Sequence, residues 1–338
     1  MSANQAVPQD GHGDSGPQRS ARRDVSRVLV TGAAGFAGSH LVEWLTGHSH
    51  LSAWSRSDPP EGFAHMAQWS RVDLLDRERV RAEIQSLRPT VVYHCAGAAH
   101  VAQSWKDTAA PLAGNVLTTH HLLDAIRRVG LPCRLLVTGS ASVYATSPSP
   151  LTEDSPVAPG SPYAVSKLAQ EQLGLRALLE DGIKVIVARA FNHTGPRQSP
   201  AFAVSGMARQ IAQIERGDIA PAIRVGNLEA QRDLTDVRDT VRAYTLLIER
   251  GVPGEIYNVA TGVARSMRTV LEALVARSRV PVETVPDPAR FRPNDTPIVV
   301  GDAGRLRAAT GWSPRISFDR MLDDLLDYWR ASVRSHVR

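Results

Sequence analysis

The chain has 338 residues, 43% of them hydrophobic and 22% charged, with a formal net charge of +5 at pH 7, enough for one large domain or two unequal ones sharing a cleft. No apolar run approaches the roughly 20 residues of a membrane span, and the arginines are scattered rather than gathered into a duplex-binding stripe. An anionic small substrate suits this charge at least as well as a nucleic acid.

Residues 1–26 are rich in Gly, Pro, Ser, Gln and Asp and have no apolar core. They are too polar for a signal peptide or for ordering, and read as a disordered tail. From Arg27 onward, short apolar runs alternate with stretches of helical period. "RVLVTG" reads as a strand, and Phe36 to Leu45 as a helix. "LSAWS" and "SRVDL" follow as the second and third strands. A charged helix runs from Asp76 to Leu87, closed by Pro89, and "TVVYHCAG" is a fourth strand. A long helix covers Ala109 to Val129, then come "RLLVTGS", a helix from Pro162 to Leu179, and the strand "KVIVARAFN". Strands spaced by helices of this length imply an α/β protein: a Rossmann-type doubly wound parallel sheet with helices on both faces.

After Thr194 the rhythm breaks. Helices at Ala203–Arg216 and Val237–Glu249 mix with short strands at Ala222–Val225 and "EIYNVA". This predicts a dinucleotide-binding domain over 27–190 and a smaller C-terminal α/β substrate-binding region over 191–338, interleaved with the sheet. Cys95 and Cys133 lie in apolar runs and read as buried thiols of a reducing cytoplasm rather than a disulfide. The pairs His48/His50 and His120/His121 lack accompanying thiols or carboxylates, so no metal is expected.

"VTGAAGFAGSHLVEWL" places Gly32, Gly35 and Gly38 between a strand and a helix. Glycines at this spacing let the chain turn tightly, approach a pyrophosphate and pack the helix closely, with the phosphates meeting helix N-terminal N–H groups. At the end of the second strand, "AWSRSD" offers Ser55 and Arg56, a hydroxyl and a guanidinium suited to the 2′-phosphate of NADP. The alternative is a solvated Arg56, with Asp58 binding the ribose of NAD. Asp73 is either a cap on the adenine edge or an ordinary turn aspartate.

"SPYAVSK" sets Tyr163 and Lys167 four residues apart, on one helix face. A free phenol, with a pKa of about 10, is a poor proton donor or acceptor near neutrality; a neighbouring ammonium favours the phenolate, so the pair can shuttle a proton. Ser140, at the end of the fifth strand, completes the constellation.

The TG-x-x-G-x-x-G turn, the strand-end Ser140 and the Y-x-x-x-K helix resemble the short-chain dehydrogenase/reductase superfamily. "RAFNHTGPRQ" and "RDLTDVRD" are similar to its extended, nucleotide-sugar-modifying branch. "FNHTGPRQSP", "ARQIAQIERG", "IRVGNLEAQRDLTDVRDTVRAY" and "FRPNDTPIVVGDAGRLRAATGW" resemble the GDP-mannose dehydratase and GDP-4-keto-6-deoxymannose reductase group, its reductase side most. The likeness spans Arg27 to Arg330.

That resemblance implies a hydrogen-bonding Ser140, a proton-transferring Tyr163, and a Lys167 touching both Tyr163 and the nicotinamide ribose. It implies that Asn115 supports the lysine, although locally Asn115 could equally be a polar residue kinking a helix. It adds Phe36, Ala37, Leu74 and Ala96 to the cofactor contacts. On the substrate side it implies Ser142, Asn192, His193 and Gly226, with Arg232 and Arg292 clamping a diphosphate; His193 reads equally as a packed loop histidine. Arg209 lies either on a base-binding helix or on a solvated face. The group pairs the helices around Ala109–Val129 and Pro162–Leu179 between subunits, which implies a homodimer.

The group's dehydratases carry a carboxylate just after the strand-end hydroxyl, where this chain has Ala141 and Ser142. Elimination of water needs a positioned base there, whereas carbonyl reduction needs only a hydride and one proton. The expectation is therefore an NADPH-dependent, cytoplasmic 4-ketoreductase of an NDP-4-keto-6-deoxyhexose. The alternatives are a 4-epimerase with retained NAD, a 4,6-dehydratase whose base comes from elsewhere, and a non-catalytic dinucleotide sensor.

Overall fold

The computed structural model describes residues 26–48, 50–291 and 296–335. The first 25 residues of the predicted tail lie outside these. In chain order the elements begin with β1 (Val28–Thr31), α1 (Phe36–Trp44), β2 (Leu51–Ser55), β3 (Gln68–Arg71), α2 (Arg77–Leu87) and β4 (Val91–His94). There follow α3 (Val101–Ser104), α4 (Ala109–Pro111), a π-helical turn (Leu112–Leu117), α5 (Thr118–Val129), β5 (Arg134–Ser140) and α6 (Pro162–Asp181). Next come β6 (Lys184–Ala190), β7 (Asn192–Thr194), α7 (Ala203–Arg216), β8 (Ala222–Val225), β9 (Gln231–Asp236) and α8 (Val237–Arg250). The chain continues through β10 (Ile256–Val259), β11 (Ala264–Ser266), α9 (Met267–Val275), β12 (Glu283–Pro286), β13 (Ile298–Val299), α10 (Gly304–Thr310) and α11 (Phe318–Ser335).

Seven strands form one parallel sheet in the order β10-β6-β5-β4-β1-β2-β3. Alternation along each strand feeds two cores. Val28, Val30, Leu136 and Ile186 face α1 and α8, packing with Leu41, Val42, Val241 and Leu247. Leu29, Leu135, Val137 and Val185 face the other way, onto Val80, Ile84, Leu122, Ile126 and Ala177 of α2, α5 and α6. The strand order reverses between β1 and β4, which opens a crevice at their carboxyl ends, where ligands of such sheets bind. A third core joins α7, α9 and α11 over β8, beside a small sheet in which β9 pairs with β7, β11 and β13.

Several boundaries differ from the pattern reading. The third strand starts earlier, at Gln68, and ends at Arg71, which pairs with Ser55, the last residue of β2. The long helix is not continuous: Pro111 offers no N–H and the turn that follows is π-helical, swinging Asn115 inward. "KVIVARAFN" breaks at Phe191, whose N–H bonds the Val259 carbonyl (3.0 Å), and continues as β7 in the smaller sheet. The helix begun at Pro162 runs two residues further, to Asp181, before Gly182 at φ 70° stops it. The pattern reading leaves β9 and the elements beyond β10 unassigned, although Met321, Leu322, Leu325 and Leu326 of α11 recur at helical spacing and are buried. α8 and β10, although beyond residue 191, complete the large sheet. Among the described residues no helix is long and apolar enough to cross a membrane.

Candidate active site

The glycine turn is built by close approach. Gly32 sits at φ 66°, and a Cβ there would come within 2.6 Å of the Ala96 backbone. A Cβ on Gly38 would overlap the Gly32 carbonyl. Gly35 is the N-cap of α1 and makes no side-chain cap, so the first-turn N–H groups, at Phe36 and Ala37, stay available to an anion. The cradle therefore fits a dinucleotide pyrophosphate.

At the adenine end, Ser55 is buried and its hydroxyl is engaged by Ser57 through N–H (3.0 Å) and Oγ (3.1 Å). Arg56 is exposed and has no ion pair among the described residues. Ser55 thus shapes the turn and Arg56 supplies the free charge. Asp73 accepts from the Leu75 N–H (3.0 Å). Leu74 is buried beside it.

The predicted catalytic side chains converge at the carboxyl ends of β4 and β5. The Ser140 hydroxyl lies 2.9 Å from that of Ser142 and accepts from the Ser142 N–H (3.2 Å). Burial pushes the Tyr163 phenol above its ordinary pKa, and the Ser140 hydroxyl beside it opposes the rise. Lys167 donates to the Thr138 carbonyl and to Gln170 Oε1, both at 2.9 Å, which leaves one ammonium N–H. Burial lowers its pKa to about 8, with Glu171 and Cys95 opposing. Asn115 donates to the Ser166 hydroxyl (2.8 Å) and accepts from the Ala98 N–H (2.9 Å). Ser166 in turn donates to the Tyr163 carbonyl (2.7 Å). Asn115 therefore braces the first turn of α6 and reaches Lys167 only through it.

Pattern reading missed the supports of this cluster. His94 is fully buried with Thr31 and Thr119 hydroxyls on its two ring nitrogens, each at 2.8 Å. Burial, with the Lys167 ammonium nearby, holds the ring down to about 3, so it is neutral. Gln170 donates to Thr119 (2.8 Å). The buried pair Glu171 and Arg189 was also unforeseen. Gln170 and Glu171 follow Lys167 by three and four residues, so helical spacing could have found them.

On the substrate side, Asn192 is exposed at the start of β7. The His193 ring stacks on Phe36, with centroids 5.7 Å and planes 4° apart, so β7 touches the cofactor turn; burial lowers its pKa. Gly226 lies against the Arg290 backbone, with its Cβ position 3.0 Å from the carbonyl carbon. Arg232 donates to the Gln231 and Thr296 carbonyls, both at 2.8 Å. Arg209 lies over the Trp329 ring at 5.7 Å. Arg292 lies outside the described residues.

A parallel sheet with this glycine turn and a hydroxyl, phenol and ammonium at its carboxyl edge defines an NAD(P)-dependent oxidoreductase of the short-chain dehydrogenase/reductase type. Residues 29–325 match the GDP-mannose 4,6 dehydratase family, and the chain belongs to that family. It is 36% identical over 311 residues to the GDP-6-deoxy-D-mannose reductase of Pseudomonas aeruginosa, covering 91% of this chain and 98% of that protein. Among solved structures, RMD from Pseudomonas aeruginosa complexed with NADPH aligns with a TM-score of 0.81 at 34% identity, covering 91% of this chain and 99% of that one. The Thermus thermophilus UDP-glucose 4-epimerase complex with NAD aligns with a TM-score of 0.82 at 30% identity, covering 90% and 99%.

Proposed function

We propose that this protein is an NADPH-dependent 4-ketoreductase of an NDP-4-keto-6-deoxyhexose, converting GDP-4-keto-6-deoxymannose to GDP-rhamnose in the cytoplasm. The observation that carries this reading is the β5 terminus. It presents the Ser140 and Ser142 hydroxyls and no carboxylate, and a carboxylate packed behind it, Glu171, is fully buried in an ion pair with Arg189. A base for C5 proton abstraction is thus missing where elimination would need one, while a reductase needs none. The likeness to the Pseudomonas reductase supports the same choice and the guanine nucleotide.

The cradle of Gly32, Gly35 and Gly38 would hold NADPH, which would supply the hydride for the C4 ketone. Tyr163 gives its phenolic proton to the developing alkoxide, and Ser140 hydrogen-bonds that oxygen, stabilising charge where it develops. Lys167 stabilises the resulting phenolate, and its remaining N–H would hold the nicotinamide ribose. Asn192 and His193, with Arg232 and Arg292, hold the sugar diphosphate. Exposed Leu112, Leu117 and Val165, near a hollow of about 480 Å³ lined by Trp105, Leu112, Pro162 and Val165, support a homodimer through α5, α6 and the π turn.

The test is loss of reduced-nicotinamide absorbance with GDP-4-keto-6-deoxymannose and, separately, dTDP-4-keto-6-deoxyglucose. Stoichiometric NADPH oxidation with the GDP substrate is expected. No oxidation with either would transfer the assignment to a 4-epimerase, the activity named for the Thermus structure, or to a dehydratase. In the same assay, Arg56→Ala is expected to raise KM for NADPH about tenfold, the worth of one charge-assisted hydrogen-bonded contact, and to leave KM for NADH unchanged. An unchanged ratio would return the cofactor to NAD with Asp58 on the ribose.

A further inference from the structure

Glu171 lies one helical turn beyond Lys167 and two beyond Tyr163, on the same face of α6. It is fully buried, and Arg189 on β6 engages it through Nε (3.2 and 3.1 Å) and Nη2 (2.9 Å). The carboxylate enters behind the end of β5 because residue 139 is glycine: a Cβ there would lie 2.6 Å from Glu171 Oε1. Gly139 has no positive φ, so close approach is its only evident purpose. The Ser140 N–H also favours the charged carboxylate. Arg189 is braced in turn, its guanidinium carbon 4.7 Å over the Tyr144 ring. A buried ion pair of this kind adds little net stability compared with apolar residues, so its placement directly under the reacting groups calls for another account.

We propose that Glu171 is a positioning residue for the proton transfer: its negative charge, pinned by Arg189, keeps the Lys167 ammonium protonated in the buried site. The charged and titratable groups facing Lys167 are few. From α6 itself come Tyr163 and Glu171. From the β4 end come His94, held neutral, and Cys95, whose thiol burial pushes up to about 12. From β6 comes Arg189, spent on Glu171. Asn115 and Thr119, from the π turn and α5, do not titrate. From α8 comes Tyr244, near Tyr163 and Cys95; burial pushes its phenol up, so it stays neutral. Among the described residues Glu171 is therefore the one negative charge opposing desolvation of the ammonium near neutral pH.

The role rests on Tyr163 being the proton donor. In the reductive direction the Tyr163/Lys167 pair must hold its proton, so kcat/KM falls at alkaline pH with the pair's apparent pKa. The experiment measures kcat/KM for NADPH-dependent reduction of GDP-4-keto-6-deoxymannose against pH in the full chain. Glu171→Gln is expected to move the alkaline midpoint down by about one unit or more, with the Kd for NADPH unchanged. Because that variant leaves Arg189 buried and unpaired, Glu171→Gln/Arg189→Met is measured beside it. The double variant is expected to regain thermal stability and keep the lowered midpoint. A midpoint that stays at the wild-type value in Glu171→Gln, or that returns with stability in the double variant, would overturn the proposal. Wild-type protein without an alkaline limb, or activity surviving in Tyr163→Phe, would instead overturn the assignment of Tyr163.

Discussion

Tyr163→Phe is expected to lower kcat for carbonyl reduction by about 10²- to 10⁴-fold, the worth of one positioned proton donor, with little change in fold or in NADPH affinity. The phenolic oxygen is the one atom removed. The start of α6 does not depend on it, since Ser161 caps the helix through the Ala164 N–H (3.1 Å) and Asn115 braces the same turn through Ser166. The Ser140 hydroxyl keeps its partner in Ser142. Single-turnover mixing of enzyme, NADPH and GDP-4-keto-6-deoxymannose reads the chemical step directly. A loss that fell on KM for the sugar, with kcat intact, would make Tyr163 a binding residue. A kcat within a few-fold of wild type would mean that another group delivers the proton.

The second large effect falls on stability. Arg189→Met is expected to destabilise the protein by about 3–5 kcal/mol, because it leaves Glu171 as an uncompensated buried charge. Arg189 is 3% exposed and Glu171 has no exposure, so water cannot take the guanidinium's place. The loss should depend on pH. Burial raises the Glu171 pKa, and Arg189, through its hydrogen bonds, holds that rise down. Without Arg189 the folded-state pKa climbs further above the unfolded value, so the folded protein binds the proton more tightly. Stability of the variant is then retained below the unfolded pKa of the carboxyl and lost as pH rises through the folded one. Urea unfolding at acid and neutral pH, wild type against variant, should show the gap widening with pH. A gap that did not change with pH would mean that Glu171 is neutral in the native protein, and a gap near zero would mean that water reaches the pair. Removing both charges in Glu171→Gln/Arg189→Met should recover most of the loss.

Much of the site is legible in the chain because its signals are local. Gly32, Gly35 and Gly38 sit within one strand–turn–helix unit, and the backbone contacts that demand glycine lie inside that unit or on the adjoining β4 end. Tyr163 and Lys167 are one turn apart, and helical periodicity alone places them on one face. The alternation of β5 and β6 likewise announces a buried parallel sheet, since side chains two residues apart must fill the same core. The absence of a carboxylate after Ser140 is also a statement about adjacent residues, and the proposed choice of reduction over elimination rests on it.

The supports of that site were decided by tertiary contact. Asn115 reaches Ser166 across 51 residues of chain, from the π turn that precedes α5. Arg189 meets Glu171 across 18 residues, from the strand beside β5, through a gap that exists because Gly139 has no side chain. Phe36 and His193 read as belonging to separate sites, yet their rings stack. β10 lies in the C-terminal region expected to interleave with the sheet, but that it pairs with β6 and forms the edge of the large sheet is visible only in the fold. Periodicity and turn chemistry report on neighbours within a few residues. Which buried polar groups find each other is set by the packing of whole elements, where an unpaired charge is too costly to leave, and no window along the chain contains that constraint.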